Sequence, residues 1–370
     1  MAIQSRGSTF TQFSPNDTVN SIDRVFASAW SGNTNDLLAT HYSSSTQYVT
    51  TSPTSSGAFY MEIYDKHPIN DTTAEVQYSI AYGSLTGKGN TVFNTGTGAE
   101  NITSTKAIYS QYRNLVFGGD ETQNFSFDGY TPDDIYVINV NRARYKNALR
   151  LGNLRLNLSA GSSSAAVGAR RTIHLTDDSV TTSGSANAIR AGVGREFNLV
   201  SGSNGVRLGS SNTYVTNSGS YGYVYPDAGF IILNADALDH SGSLAAFAGG
   251  AGGINLSTSQ SVNGVGDNPK VLQNAIRQGG SFILDSQEDI SSKYYWVRVM
   301  NQDFNYTTND SFTGTDGTLS FDSMIDNPQT YITTVGLYNN NQDLLAVAKL
   351  SQPLPKNFTK EALIKVKLDY

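Results

Sequence analysis

The segment Ile364-Lys-Val-Lys-Leu-Asp-Tyr370 alternates apolar and polar residues without a break. A period of two is the geometry of a β-strand, whose successive side chains point to opposite faces. Ile364, Val366, Leu368 and Tyr370 then share one face, and Lys365, Lys367 and Asp369 the other. Burying apolar side chains of this size contributes about 1.5–3 kcal/mol each, so the strand must pack on its own chain or on another subunit. Strands are predicted over 331–338 and 344–350, joined by a turn at Asn339, Asn340 and Asn341, because Asn tolerates positive φ. Pro353 and Pro355 force an extended crossing and Phe358 to Ala362 add a brief turn. The last strand then completes the same small sheet, with exchange into a neighbouring subunit as the alternative.

Composition limits what the rest can be. At 370 residues the chain has room for two or three domains, or fewer if β-rich domains merge. The 38% hydrophobic content supports real cores, while charged residues reach only 15% against roughly 25% in ordinary soluble domains. Ser, Thr, Asn and 35 Gly take their place, as in β-rich extracellular or virion proteins. A net charge of −6 argues against a nucleic-acid-binding surface. With no cysteine, disulfides, thiolate metal sites and cysteine nucleophiles are excluded. Neither a charged-then-apolar leader nor an apolar run of about 18 residues is present, so a soluble, cytosolically made product without membrane insertion is expected.

Along the chain, a helix is predicted from Ser14 to Trp30. Ser14 suits the N-cap, Pro15 the first helical position and Asp17 the capping box, and Val19, Ile22, Val25, Phe26, Ala29 and Trp30 form an apolar stripe. Strands follow at Ala58–Tyr64, Ala74–Tyr82, Asp134–Val140 and Leu154–Leu158, with a helix over Thr103–Val116. The Gly-rich loop between Gly83 and Glu100 lacks the Lys-Ser/Thr ending of a phosphate loop. From Ala160 the composition shifts. Residues 170–235 read as short strands broken by Gly and Ser, followed by a helix at Asn234–Phe247, a Gly-rich loop at 249–253, and a helix from Asn268 to Gln278. Ser281–Leu284, Lys293–Met300 and Thr318–Phe321 are further strands.

The expected fold is mainly β, with antiparallel β-sandwich-like domains and a few short helices. Four segments are expected: an arm and helix at 1–40, a β domain at 41–160, a Gly/Ser-rich β domain or insert at 161–265, and a C-terminal β domain at 266–370.

Few residues invite chemistry. His41, His67, His174 and His240 form no metal-ligand pair at helical or strand spacing. No Gly-x-Ser-x-Gly elbow occurs. Asp133/Asp134 and Asp177/Asp178 are adjacent pairs whose side chains point apart, so they suit a two-carboxylate hydrolase poorly. Asp310, Asp316 and Asp322 bracket a Gly-rich turn and could hold calcium, although the spacing is not that of an EF-hand. Arg142, Arg144 and Lys146 would share one face of an extended strand near Arg150, a stripe for a phosphate, a partner or salt bridges. Tyr214, Tyr221, Tyr223 and Tyr225 lie among Gly and Ser, as on sugar-binding surfaces, but equally as in sheet packing. No catalytic, cofactor-binding or metal residue is assigned.

Several segments carry a resemblance. They are Tyr109-Ser-Gln-Tyr-Arg-Asn-Leu-Val116, Asp134-Ile-Tyr-Val-Ile-Asn139, Tyr225-Pro-Asp-Ala-Gly-Phe-Ile-Ile-Leu-Asn234, Tyr331-Ile-Thr-Thr-Val-Gly-Leu-Tyr338, Leu344-Leu-Ala-Val-Ala-Lys-Leu350 and the stretch from Pro353 to Tyr370. Together the chain resembles structural proteins of contractile-tailed bacteriophages, the T-even-like group that includes phages of cyanobacteria.

The resemblance implies a virion component of the baseplate or lower tail, assembled in the host cytoplasm and multimeric with other tail or baseplate proteins. It transfers no active-site residue and no cofactor. Candidate interface residues are Phe26, Trp30, Arg142, Arg144, Phe358, Val366, Leu368 and Tyr370. The alternatives are a receptor- or carbohydrate-binding fibre or spike module, and a neck or head-associated protein.

Overall fold

A computed structural model describes residues 13–33, 42–43, 50–52, 55–56, 60–87, 104–119, 122–160, 171–208, 220–239, 268–305, 311–314, 316 and 318–370. In chain order the strands are β1 (Thr18–Ser28), β2 (Tyr42–Ser43), β3 (Thr50–Ser52), β4 (Ser55–Ser56), β5 (Tyr60–Tyr64), β6 (Val76–Ser84) and β7 (Asp134–Val140). There follow β8 (Ala148–Leu149), β9 (Arg155–Ala160), β10 (Arg171–Asp177), β11 (Ala188–Arg190), β12 (Gly194–Ser203), β13 (Val206–Arg207), β14 (Gly222–Tyr225) and β15 (Phe230–Asn234). The last are β16 (Phe282–Ile283), β17 (Asp285–Val299), β18 (Thr330–Tyr338), β19 (Leu344–Lys356) and β20 (Ala362–Asp369). Helices are few and short, and the protein is mainly β with large antiparallel sheets. It divides into two compact units, residues 25–288 and residues 1–24 with 289–370.

The 25–288 unit is built on one sheet in the order β16-β9-β10-β12-β14-β15-β7-β6-β5-β2. Its middle strands β7 and β15 carry apolar side chains on both faces because both faces are covered. On β7, Tyr136, Ile138 and Val140 enter one core, and Ile135 and Val137 enter the other. Paired β15 does the same, sending Ile231 and Leu233 one way and Phe230 and Ile232 the other. The first core receives Leu272, Ala275 and Ile276 of the helix Asn268–Gly279. The second receives Tyr109 and Val116 of the helix Ser104–Phe117, with Phe125 and Phe127 beyond it.

The sheet curls about the Asn268–Gly279 helix, which packs on β9 near one end of the strand order and on β6 and β5 near the other. Strand twist accumulates over so many strands into curvature. Gly279 makes the approach possible: a Cβ there would collide with the carbonyl oxygen of Asn157.

The described residues of the expected 161–265 insert, 171–208 and 220–239, belong to the 25–288 unit. β10, β12, β14 and β15 lie in the same sheet as β5, β6 and β7, because long-range pairing outweighs the change in composition.

In the unit of 1–24 and 289–370, β17 pairs with β20 from Ser292↔Asp369 to Val299↔Ala362, and β1 lies on the other side of β17. The hairpin β18–β19 forms a separate two-stranded sheet. Val335 and Leu337 of the hairpin bury against Val366, with Tyr295, Val297, Ile364 and Leu368 packed around them. The alternation read at 364–370 thus turns Val366 into the core with Ile364 and Leu368 half-buried beside it, whereas Tyr370 at its end is exposed. The last strand pairs with β17 and not with the hairpin it follows.

Several local expectations change. The stretch from Ser14 to Trp30 is not a helix. Ser14 N and Oγ both donate to Asp17 Oδ2 at 2.7 Å, but this box closes only the 3-10 turn Pro15–Asp17, and β1 follows. β-branched Thr18, Val19, Ile22 and Val25 suit a strand, and pairing with β17 overrides the helical stripe. Arg142–Arg144 is a 3-10 turn capped by Asn141 Oδ1, which accepts from the Ala143 amide at 2.9 Å, so Arg142, Arg144 and Lys146 share no strand face. Residues 318–321 contribute only an isolated bridge, Thr313↔Leu319. Pro353 and Pro355 lie inside β19, where Pro355 stands opposite Tyr331 in the two-stranded sheet. In the hairpin turn the positive φ belongs to Gln342 (67°), while Asn339 Oδ1 accepts from the amides of Asn341 and Asp343 at 2.9 and 2.8 Å. Only residues 235–239 of the helix expected from Asn234 to Phe247 fall among the described residues, and they are helical.

Candidate functional site: an exposed hairpin and a polar cleft

The hairpin β18–β19 has one face in its core and one in solvent. Ala346, Ala348 and Leu350 turn inward with Val335 and Leu337. The opposite face carries Tyr338, Leu344, Leu345 and Val347, of which Leu345 is 68% and Val347 60% exposed. The register places Gly336 opposite Val347 and Tyr338 opposite Leu344. A Cβ on Gly336 would meet the Tyr338 ring at 2.8 Å and Leu344 at 3.2 Å, so these two side chains close over the glycine. Among the described residues neither strand pairs with any other, leaving two backbone edges open beside an apolar face. Edges and patches of this kind mark surfaces that another chain covers.

The outer face of the β17–β20 sheet is different, because Lys365 and Lys367 are already engaged. Lys365 Nζ lies 4.0 Å from the ring centre of Tyr294 and 5.3 Å from that of Trp296. Lys367 pairs with Asp23 at 3.2 Å and Asp369 at 3.1 Å, and Ser292 Oγ donates to Asp369 at 2.7 Å. These contacts hold the Asp369 carboxyl below its ordinary value, with the Ser292 hydroxyl the largest cause.

A polar cleft of about 170 Å³ opens in the 25–288 unit, lined among others by Asp128, Asn187, Asn198, Arg207 and Tyr221. Beneath it the buried Glu196 accepts hydrogen bonds from Asn187 Nδ2 (2.9 Å), Arg190 Nε (2.9 Å), Arg190 Nη2 (3.2 Å) and Tyr225 Oη (2.9 Å). Burial, reinforced by Glu196, pushes the Tyr225 phenol well above its ordinary value, so it stays a donor. Asp178 is raised by burial, although Asn198 donates to it through N (3.1 Å) and Nδ2 (2.8 Å). The Asn187 and Asn198 side-chain amides are thus engaged by Glu196 and Asp178.

The candidate interface residues do not converge. Trp30 and Val366 are buried in the cores of their units and are withdrawn as surface contacts, since apolar residues with intrachain partners fill those cores. Arg144 is tied to Glu75 at 2.8 Å and to the Ser31 hydroxyl. Arg142 Nη1 donates to the Tyr145 carbonyl at 2.6 Å. Phe26 is exposed beneath the Arg150 guanidinium, 4.1 Å from its ring centre. Leu368 packs against its core, whereas Phe358 and Tyr370 are exposed.

Among the Tyr residues, Tyr214 lies outside the described residues, Tyr225 is fully buried, and Tyr221 and Tyr223 line the cleft. Asp177 accepts from the Gly152 and Ser179 amides while Asp178 holds Asn198, so the pair serves separate neighbours. Asp310 lies outside the described residues, as do His41 and His240. Among the described residues no cluster of three metal-ligating side chains occurs, and no helix is long and apolar enough to cross a membrane.

Sequence reading missed the exposed hairpin face. The available signal was Leu344-Leu345 followed by Val347, one apolar residue more than a one-faced strand needs.

The fold and site define a mainly β protein whose hairpin β18–β19 pairs with no other strand among the described residues. Comparison with family models, curated proteins and solved structures gives no match to this chain.

Proposed function

We propose that this chain is a structural subunit of a contractile phage tail or baseplate, and that it works by assembly with neighbouring tail proteins. The observation that supports this most directly is the outer face of β18–β19, with Tyr338, Leu344, Leu345 and Val347 exposed beside two open strand edges. A neighbour's strand can add to such an edge, its main chain supplying hydrogen bonds while side-chain pockets supply specificity. The resemblance of the terminal segments to tail structural proteins points the same way. Mass spectrometry of purified virions tests the location: the chain should be present in intact particles, and its absence would sink the proposal. The Leu345→Lys, Val347→Glu double variant tests the surface. It should fold as the parent does and fail to enter particles, and normal incorporation would remove the hairpin from the interface.

The polar cleft supports a second reading, recognition of a saccharide on the host surface. Asp128 and Arg207, beside the Tyr221 ring, offer an acceptor and donors of the kind a sugar residue needs. A glycan array separates the two readings, since a pure assembly subunit leaves it blank.

A further inference from the structure

Lys356, the last residue of β19, is 1% exposed, and its neighbours are unusual for a buried lysine. Its Nζ donates to the carbonyl oxygen of Asn301 at 3.0 Å and to Oδ1 of Asn305 at 2.9 Å. Both partners are neutral, and no carboxylate pairs with Lys356 among the described residues. A buried ammonium without a counter-charge is costly, and burial lowers the proton affinity of this amine, against a weaker opposing pull from Asp303. Lysines in such surroundings act as nucleophiles, because the neutral amine carries a free electron pair.

The electrophile is already in place. Asn305 is itself buried, and its Nδ2 donates to the same Asn301 carbonyl at 2.5 Å. Amine, carboxamide and backbone carbonyl thus form a closed triangle within the unit of 1–24 and 289–370. The surrounding loop is held to the hairpin from both sides. Thr330, the cross-strand neighbour of Lys356, donates through Oγ1 to the Phe304 carbonyl at 2.9 Å. Phe304 takes a positive φ of 54°, which a non-glycine residue adopts only when its surroundings impose it. That strained residue directly precedes Asn305. Two reacting groups held in contact by the fold are the condition under which an intrinsically slow amide exchange becomes feasible.

We propose that Lys356 and Asn305 join in an intramolecular isopeptide bond that staples the loop after β17 to the end of β19. In its deprotonated form Nζ adds to Cγ of Asn305, and the tetrahedral adduct collapses by breaking the Cγ–Nδ2 bond. One proton passes from Nζ to the departing nitrogen, with Asp303 the carboxylate of the same loop suited to carry it, and ammonia leaves. One C–N bond forms and one breaks, without oxidant, reductant or cofactor. The bond goes beyond the assembly reading and does not depend on it, since it concerns one chain alone.

Intact-mass measurement of the folded full-length chain, followed by proteolytic mapping, is the test. The mass should be lower than the sequence requires by one ammonia, and the map should contain a branched peptide joining Asn305 to Lys356. Lys356→Arg and Asn305→Ala should restore the full mass. Asn305→Asp, which keeps the shape of the site, should lose a water in place of ammonia and still give the branched peptide. A chain that is folded by circular dichroism yet has the full mass overturns the proposal. So does an ammonia loss that persists in Lys356→Arg, because it would mark cyclisation of Asn305 on its own backbone.

Discussion

The indole Nε1 of Trp30 donates to the backbone carbonyl of Phe282 at 2.9 Å, joining residues 252 positions apart. Their rings meet edge to face at 4.9 Å, and both touch Tyr78, at 5.8 Å from Trp30 and 5.1 Å from Phe282. Tyr78 in turn donates to Gln273 Oε1 at 3.0 Å on the helix inside the curl. Phe282 belongs to β16 and Tyr78 to β6, so this trio ties distant members of the strand order. Trp30→Phe keeps most of the contact but leaves a buried carbonyl without its donor, a loss of about 1–3 kcal/mol. Trp30→Ala should cost about 3–5 kcal/mol. Urea denaturation of the three proteins should rank them in that order.

Glu196 gathers four donated hydrogen bonds in the interior of the same unit. Glu196→Gln puts an amide NH₂ against groups that are all donors, so the site loses both charge and acceptors. The Arg190 side chain is about a third exposed and water screens part of the change. The expected cost is about 1.5–3 kcal/mol. Because Tyr225 is raised well above its ordinary value, its phenolate absorbance should stay absent through the pH range where exposed tyrosines titrate. A Tyr225→Phe variant should therefore show the same phenolate absorbance as the wild type in that range, and a smaller one would contradict this packing.

β20 carries an unbroken alternation in its sequence, and its apolar face meets a defined partner in the fold. It pairs with β17 over eight register positions and sends Val366 into the core beneath the hairpin. Val366→Ala should destabilise this unit by about 2 kcal/mol. Removing residues 363–370 should expose the inward faces of β17 and β18 and leave an insoluble or non-assembling protein. Normal solubility and incorporation of the truncated chain would show that β20 is dispensable.

Asp369 provides a pH signature. Its carboxyl is held below the ordinary value by Ser292 and Lys367, so the folded state binds fewer protons than the unfolded chain in acid. The contribution is present above the unfolded value of 3.8 and is lost as pH falls through the lower folded value. Ser292→Ala or Asp369→Asn should flatten that part of the acid-stability curve. Because these groups are open to solvent, added salt should shrink the Lys367 share of the effect.

The sequence by itself determined the mainly β character and the period of strands such as β7, β15 and β20. Unbroken apolar runs such as Ile135–Ile138 and Phe230–Leu233 suit strands covered on both faces, and residues 364–370 suit a strand covered on one. It also marked the helices at 104–117 and 268–279, whose stripes have no competing strand partner.

Tertiary structure decided everything that depends on which strand meets which. The capping box at Ser14 and the stripe to Trp30 are sound local signals, yet backbone pairing offered by β17 made the segment a strand. Composition suggested a boundary near 160, but long-range pairing outweighed the Ser and Gly content, and β9 to β15 joined one sheet. The triangle of Lys356, Asn301 and Asn305 was beyond any sequence pattern, since residues 51 positions apart are brought together only by the loop and the hairpin register. Local chemistry sets what each segment can be, and burial and pairing over long separations choose among those possibilities.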